Sequence, residues 1–271
     1  MTDPQIYSPE YYQRIFELEG RHWWHLGMRE IAAALLRSQP GGRIFVDVLD
    51  AGCGTGGGLT WLGETLHPGR LVGIDIAWEA VRIAWSRPGA LLAQASLLLL
   101  PFPAQTFDLV LCQDVLQHLP TEDADARALA EMYRVLRPGG VLLLRANSRL
   151  GMWQRTDARD PDFQRYTLAE IVARVQAAGF VVRRATYANG LPALYASARR
   201  GLTLRFGLRS PDGRLYEGLP LRDTPARRIW LNRLLMWVLR VEARYLSSGR
   251  SLAFGHSTFC LGQKPEASGP R

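Results

Sequence analysis

Short apolar runs alternate with segments of helical periodicity along most of the chain. The runs are rich in β-branched and aliphatic residues, and each has the length of a strand. The predicted strands are 44–50, 71–75, 90–95, 107–112, 141–146, 180–186 and 257–262. The predicted helices between them are 57–66, 78–86, 122–136 and 167–178. Apolar strands separated by helices are typical of a parallel sheet that is covered on both faces.

The segments before and after this alternating region predict additional helices. Ser8 followed by Pro9 indicates a helix start, that helix should end near Gly20, and a second helix should cover 23–37. A segment that breaks the alternation holds a helix at 224–246 and precedes the last strand. The predicted divisions are an N-terminal helical cap at 1–42, a core at 43–186, an insertion at 187–250, the final core strand at 251–264 and a flexible tail at 265–271.

The helix predicted within the insertion has a broad apolar face and a narrow basic one. Arg233, Arg240 and Arg244 recur at helical spacing on the basic side. The apolar residues are Ile229, Trp230, Leu231, Leu234, Leu235, Met236, Trp237, Val238, Leu239 and Val241. A basic amphipathic helix with tryptophans can lie on an anionic membrane, and such a helix can equally cover an active site or form a dimer. A peripheral membrane contact through 224–246 and a homodimer are therefore both open predictions.

Composition favours a globular protein but does not select its partner. Apolar residues make up 47% of the 271 positions and charged residues 21%, which allows a large buried core. The net charge of +8 suits nucleic acid, a membrane surface or an acidic substrate, and it also fits a generally basic proteome. Three widely spaced cysteines indicate neither a disulfide framework nor a zinc site. With no signal-peptide pattern and no apolar stretch of about 18 residues, we expect a cytoplasmic protein, peripheral at the inner membrane face if the basic helix binds lipid.

A glycine-rich stretch joins the first predicted strand to the helix that follows it. It reads DAGCGTGG from Asp50 to Gly57, and its glycines allow a sharp turn against which a ligand can lie. Asp75, at the end of the next strand, is placed to accept the ribose hydroxyls of an adenosine. Gly52, Gly54 and Gly57 also satisfy a dinucleotide-binding pattern, but the Asp50 carboxylate would repel a pyrophosphate. That carboxylate suits the positive charges of S-adenosylmethionine (SAM), unless it only binds local amides in the turn.

The ordered series of motifs resembles the class I SAM-dependent methyltransferases. The matching stretches are 50–56, 73–76, 100–103, 106–110, 114–119 and 135–140. The resemblance covers 44–186 and is nearest to the methyltransferase type 11 domain, including enzymes of ubiquinone or menaquinone biosynthesis and of natural products. It implies a Rossmann-like α/β fold with seven mostly parallel strands, helices on both faces, the helical cap and the helical insertion. It also implies SAM as the cofactor.

The resemblance assigns a role to each residue at a matching position. Gly52 and Gly54 would line the methionine part of SAM with Gln113 beside it, Asp75 would hold the ribose, Ile76 would pack on the adenine, and Ser96 and Leu97 would lie at the adenine edge. Asp50 and Cys53 complete the expected cofactor-binding bend. Arg29 would pair with the SAM carboxylate, or else be solvated. Ser96 stands where the family usually has an acidic residue, and Gln117 where it commonly has a glutamate.

The chemistry of methyl transfer requires alignment and exclusion of water, and a hydroxyl acceptor gains from a general base. His118, just after the fourth strand, is the first candidate for that base; its alternative role is to hold the loop by hydrogen bonds. Further candidates are His22, His25, Tyr166 and His256. No metal-ligand cluster is apparent, so we expect no metal.

Paired aromatics in the N-terminal cap are candidate substrate contacts. Trp23 and Trp24 would roof the cofactor or, with Tyr166, shape an apolar substrate pocket. The alternative is that the two tryptophans anchor the cap by packing.

The function that the sequence favours is methyl transfer to a small-molecule acceptor, in particular an apolar, lipid-like or natural-product one. Methylation of RNA or DNA, a nicotinamide-dependent oxidoreductase and a non-catalytic SAM-binding scaffold are the alternatives. Neither an Asn/Asp-Pro-Pro-aromatic motif after the fourth strand nor a Pro-Cys pair occurs, which disfavours the nucleic-acid enzymes. Asp50 disfavours the oxidoreductase. The acceptor and the atom that receives the methyl group are not predicted.

Overall fold

The computed structural model describes residues 7–39, 43–119, 122–148, 164–195 and 229–266. Several sequence predictions lie wholly or partly outside these residues. They are the loop that ends the second helix at 40–42, most of the predicted insertion at 196–228, the first residues of its helix at 224–228, and the tail at 267–271.

Seven strands form one mixed sheet. They are β1 (Asp47–Ala51), β2 (Arg70–Asp75), β3 (Leu91–Gln94), β4 (Phe107–Gln113), β5 (Leu136–Asn147), β6 (Val181–Ala188) and β7 (Ser257–Gln263). Their order is β3-β2-β1-β4-β5-β7-β6. The first five strands are parallel, whereas β7 runs antiparallel to both β5 and β6. The predicted α/β fold with a mostly parallel seven-stranded sheet is confirmed.

Helices cover both faces of this sheet. They are α1 (Pro9–Glu19), α2 (Trp23–Arg37), α3 (Gly57–Leu66), α4 (Trp78–Ala84), α5 (Glu122–Val135), α6 (Leu168–Ala177) and α7 (Ile229–Ser247). Side chains that alternate along a strand divide between the faces: Val48 packs with α2, α3 and α7, whereas its neighbour Leu49 packs with α5 and α6. A capping box formed by Thr167 and Glu170 begins α6.

Two strands begin three or more residues away from the predicted start. β1 begins at Asp47 because pairing with β2 starts there, and the preceding Ile44 is 81% exposed. β5 begins at Leu136, five residues before the predicted start. The register with β4 shifts between the Phe107–Leu136 pair and the Leu109–Val141 pair. The Pro-Gly-Gly stretch at 138–140, which resembles a turn in the sequence, therefore forms an irregularity inside β5.

The helix α7 is fastened to the rest of the fold along its length. Near its start, the Asn232 side chain accepts from the backbone N–H of Trp23 (2.9 Å). Further along, the carboxylate of Glu242 accepts from the backbone N–H of Gly190 (3.0 Å), and at its end Arg184 donates to the carbonyl of Leu246. The position of α7 on α2 is therefore fixed by polar contacts as well as by apolar packing.

Candidate functional site

A cavity of about 760 Å³ opens at the carboxyl ends of β1, β2 and β4. Parallel α/β sheets bind ligands at this edge, and the volume is in the range of small-molecule sites. Fourteen residues are predicted from the sequence to contact the cofactor, the substrate or the reacting proton. The cavity is lined by eleven of the fourteen: Arg29, Asp50, Gly52, Cys53, Gly54, Asp75, Ile76, Ser96, Leu97, Gln113 and His118.

The glycine bend forms the floor of the cavity. Gly52 (φ 91°) and Gly54 (φ 53°) adopt left-handed backbone conformations that favour glycine. The N–H groups of Gly52 and Cys53 both donate to the carbonyl of Ile74 (2.8 Å each), which ties the bend to β2. A side chain at position 52 would meet Val115, since an added Cβ would lie 2.2 Å from its Cγ2. Close approach of the loop after β4 therefore requires glycine at this position.

Asp75 lies at the end of β2 and bridges two backbone segments. Its Oδ2 accepts from the N–H of Gly54 and its Oδ1 from the N–H of Ala77, each at 2.9 Å. Burial raises the pKa of Asp75, and these backbone hydrogen bonds act in the opposite direction. Each carboxylate oxygen has a further lone pair, so the group can also accept from ribose hydroxyls.

Asp50 is a buried carboxylate on the cavity wall. Burial, and then the charge of Asp75, raise its pKa to about 7, while Arg29 and Arg145 lower it. Its Oδ2 lies close to the start of α3, because a Cβ on Gly58 would be 2.7 Å from it. A bound cation near Asp50 would stabilise the charged form.

The far wall of the cavity comes from α1, which the sequence analysis did not assign to the site. Tyr11, Tyr12, Ile15 and Glu19 recur at helical spacing, and all four face the cavity. Burial raises the pKa of both tyrosines, so their hydroxyls are neutral at physiological pH. In the sequence, the spacing of these residues indicates only that they share one packed face of a helix. The structure adds that this face packs against α4 and covers the cavity.

Glu19, the last residue of α1, reaches the glycine bend. Its Oε1 accepts from the hydroxyl of Thr55 (2.8 Å) and its Oε2 from the N–H of Gly57 (3.0 Å). The same carboxylate pairs with Arg87 and lies 3.6 Å from Nη2 of Arg29. A single buried carboxylate thus joins α1, α2, α3 and the segment after α4.

Two residues of α2 place nitrogen atoms in the cavity wall. Arg29 pairs with the carboxylate of Glu19, and burial lowers its pKa. His25 is held edge-on by Trp24, with ring centroids 5.1 Å apart. Burial and then the charge of Arg29 hold the pKa of His25 well below its usual range, so its ring is neutral.

On the opposite side from α2, the predicted adenine contacts surround an open rim. Ile76 is 69% exposed, so its side chain is available to a flat ring. Ser96 Oγ already accepts from the N–H of Leu98 (3.2 Å). Leu97 is buried, and Gln113 ends β4 beside the glycine bend.

The remaining end of the cavity combines His118 with an ion pair. His118 lies in a short 3₁₀ helix, Leu116–His118, and contacts the ring of Tyr7 edge-on at 5.8 Å. Arg145 donates through Nε to Asp114 Oδ1 (3.1 Å) and through Nη2 to Oδ2. Its guanidinium also stacks over Trp24, 5.0 Å from the ring centroid.

The three predicted substrate contacts do not line this cavity. Trp23 and Trp24 are buried in the apolar core that α2 shares with α7 and the sheet. Trp24 contacts the cavity wall from behind, through His25 and Arg145. Tyr166 lies behind the 3₁₀ helix, where its hydroxyl contacts the carbonyl of Leu116 (3.2 Å) and donates to Asp125 Oδ2 (2.7 Å). These geometries favour packing and positioning over direct contact with a substrate.

Gln117 explains one departure from the family pattern. Its side-chain oxygen accepts from the N–H of Asn147 (3.0 Å), and the residue is buried. The amide therefore ties the 3₁₀ helix to the end of β5 and does not enter the cavity. Within the described residues, His, Cys, Asp and Glu side chains form no group of three that could hold a metal ion.

Comparison with known proteins gives the same fold. Residues 49–144 match the methyltransferase domain family. Phthiotriol/phenolphthiotriol dimycocerosates methyltransferase 1 of Mycobacterium ulcerans is 35% identical over 138 residues, which cover 48% of this chain and 50% of that relative. The alignment therefore spans half of the relative's length.

Solved structures resemble nearly the whole chain. A methyltransferase in complex with the Trm112 methyltransferase activator of Haloferax volcanii superposes with a TM-score of 0.60 at 20% identity, covering 98% of this chain and 100% of that one. Phosphoethanolamine N-methyltransferase 2 of Haemonchus contortus, in complex with S-adenosylhomocysteine, superposes with a TM-score of 0.59 at 15% identity. The superposition covers 97% of this chain and 60% of that one. At these identities the likeness establishes the architecture.

Proposed function

We propose that the protein is a SAM-dependent methyltransferase and that it transfers the methyl group of SAM to a small-molecule acceptor. The match of residues 49–144 to the methyltransferase domain family supports this proposal. The observation that carries this proposal is a pair of carboxylates that line the cavity on either side of the glycine bend, the buried Asp50 and the partly buried Asp75. A cavity lined in this way attracts a ligand with positive charges and a ribose, and repels phosphates.

The residues present fit the cofactor. The carboxylate of Asp50 lines the cavity and can lie against a bound ammonium or sulfonium. Arg29 would bind the carboxylate of the methionine end, Asp75 the ribose, and Ile76, Ser96 and Leu97 the adenine. SAM, when bound, supplies an activated methyl group and its own leaving group.

The protein then has to orient the acceptor and accept its proton. We propose that His118 accepts this proton. It lines the cavity, as do both residues of the Arg145–Asp114 pair. Arg145 would stabilise negative charge that develops on an acceptor oxygen. Helix α1 excludes water from the opposite side.

Calorimetric titration with S-adenosylhomocysteine tests the proposal. We expect binding by the wild type, loss of at least about tenfold in affinity for Asp75→Ala because the ribose contacts vanish, and unchanged affinity for His118→Ala. His118→Ala should instead lower turnover about 10²–10⁴-fold once an acceptor is in hand. Binding of NADH but not S-adenosylhomocysteine would replace the proposal with the oxidoreductase alternative, and salt-dependent binding to RNA would favour the nucleic-acid alternative.

We propose further that the acceptor is apolar or lipid-like and that α7 rests on an anionic membrane surface. The relative from Mycobacterium ulcerans is named for phthiotriol and phenolphthiotriol dimycocerosates.

On α7, the outward stripe of Trp230, Leu234, Trp237 and Val241 is exposed, and the two tryptophans expose 63% and 61% of their surfaces. Exposed Arg233, Arg240 and Arg244 lie beside the stripe. None of the described helices is both long and apolar enough to cross a bilayer, so the contact would lie in the interface. A cytoplasmic location stays a prediction.

A further inference from the structure

The start of α3 has the features of an anion-binding site. Its N-cap residue, Gly56, has no side chain with which to cap the helix, so the first backbone N–H groups need another acceptor. A helix start of this kind attracts negative charge, and in dinucleotide-binding folds it holds the pyrophosphate. Arg29 and Arg87 add two positive charges at the same place.

In this chain the anion at that position is a side chain. Glu19 Oε2 accepts from the N–H of Gly57 (3.0 Å) and Oε1 accepts from the hydroxyl of Thr55 (2.8 Å). Glu19 is only 5% exposed and pairs with both arginines. Its contacts are those that a phosphate group would make at the start of a helix.

The third glycine of the apparent dinucleotide pattern serves this contact. A Cβ on Gly57 would lie 2.0 Å from Glu19 Oε2 and 2.3 Å from Arg29 Nη2. A side chain at this position would have to displace the Glu19 carboxylate and the Arg29 guanidinium, which approach the backbone closely. The pattern of Gly52, Gly54 and Gly57 has a physical cause that needs no dinucleotide.

We propose that Glu19 is a built-in anion that fills the phosphate position of the glycine bend, and that it thereby selects a cofactor without phosphates and positions Arg29. Because Glu19 belongs to α1, the same contact also holds the wall formed by α1 against the cofactor cavity. The inference rests on the proposed function only for the identity of the cofactor. That Glu19 occupies the phosphate position can be tested without SAM.

Removal of the carboxylate should convert this position into a site for a free anion. We expect Glu19→Ala to bind inorganic pyrophosphate at least tenfold more tightly than the wild type, because two arginines, the Gly57 N–H and the Thr55 hydroxyl all lose their contact with the Glu19 carboxylate. Titration calorimetry, and the rise in Tm on addition of pyrophosphate, measure this gain. Glu17→Ala is the matched control, since Glu17 lies on the same helix, exposes 44% of its side chain and pairs only with Arg14 among the contacts of the described residues.

A second variant separates positioning from loss of folding. Glu19→Gln keeps the side-chain size and an acceptor for Gly57 but removes the charge beside Arg29. We expect it to retain the wild-type Tm within a few degrees and to bind S-adenosylhomocysteine about tenfold more weakly, with Glu17→Ala unchanged. A folded Glu19→Ala with wild-type affinity for pyrophosphate, or a Glu19→Gln with wild-type affinity for S-adenosylhomocysteine, would overturn the inference. A wild type that fails to bind S-adenosylhomocysteine would remove the proposed function and leave the pyrophosphate result to decide on Glu19.

Discussion

At the scale of single residues, Asp50 makes cofactor binding sensitive to pH. Burial raises its pKa to about 7, so the carboxyl is mostly protonated below neutrality and mostly ionised above it. A ligand with an ammonium group binds the ionised form preferentially. We expect the affinity for S-adenosylhomocysteine to increase about tenfold between pH 6 and pH 8, with release of a proton on binding at pH 6. Calorimetry in buffers of different ionisation enthalpy measures both quantities.

The variant Asp50→Asn provides the control, because it keeps the shape of the side chain and cannot titrate. Its affinity should vary much less over the same range. The pKa of Asp75 is raised as well. If Asp50→Asn showed the same pH dependence of affinity as the wild type, the titrating group would be Asp75 and the prediction for Asp50 would be wrong.

The same scale shows what the sequence can predict of the site. Asp50 and Asp75 were predicted because the end of a strand fixes where a side chain lies in a parallel sheet. Glu19 and Tyr12 were not, since a helical pattern indicates which residues share a face but not which distant segment that face will cover. His118 lines the cavity and its role as a base stays a prediction, whereas the Tyr166 hydroxyl contacts the carbonyl of Leu116 from behind the same loop.

At the scale of elements, local signals determine how well each boundary is predicted. The ends of α2 and α3 agree with prediction because a change of periodicity and glycines mark them. The start of β5 does not agree, because Gly139 adopts a left-handed conformation within the strand and its N–H donates to the carbonyl of Lys264 (2.9 Å). Such a contact depends on a segment more than 100 residues away in sequence.

The packing of α2 on α7 depends on one glycine. A Cβ on Gly27 would lie 2.2 Å from Cδ1 and 2.7 Å from Cβ of Leu239, and the latter atom cannot move without the helix. We expect Gly27→Ala to lower the free energy of unfolding by about 1–2 kcal/mol, since overpacking outweighs the roughly 1 kcal/mol gained in helix propensity. Urea unfolding measures the change.

The matched substitution for this test is Gly63→Ala in α3. Its added methyl group would have its nearest neighbour, Leu71 Cδ2, at 4.0 Å, so helix propensity should dominate and stability should rise. Equal effects of the two substitutions would contradict a special role for the contact between Gly27 and Leu239.

At the scale of the whole molecule, the two faces of the α2–α7 pair point to different partners. One side of α2 presents His25 and Arg29 to the cofactor cavity, and its other side carries α7. The outer stripe of α7 is therefore held at a fixed distance from the site by a packed helix pair. An acceptor dissolved in a membrane would reach the cavity most directly if the protein rested on that stripe.

Cosedimentation with vesicles tests this arrangement on the intact chain. The wild type should bind vesicles that contain phosphatidylglycerol more strongly than vesicles of phosphatidylcholine alone, because Arg233, Arg240 and Arg244 favour an anionic surface. The double substitution Trp230→Glu/Trp237→Glu should weaken binding about tenfold or more, since it removes both aromatic side chains and adds negative charge. Trp85→Glu is the control, because Trp85 is similarly exposed (53%) but lies beside α4. The wild type could instead bind neither kind of vesicle and elute as a dimer that the double substitution dissociates. That result would contradict membrane binding and assign the stripe to contact with a second copy of the chain.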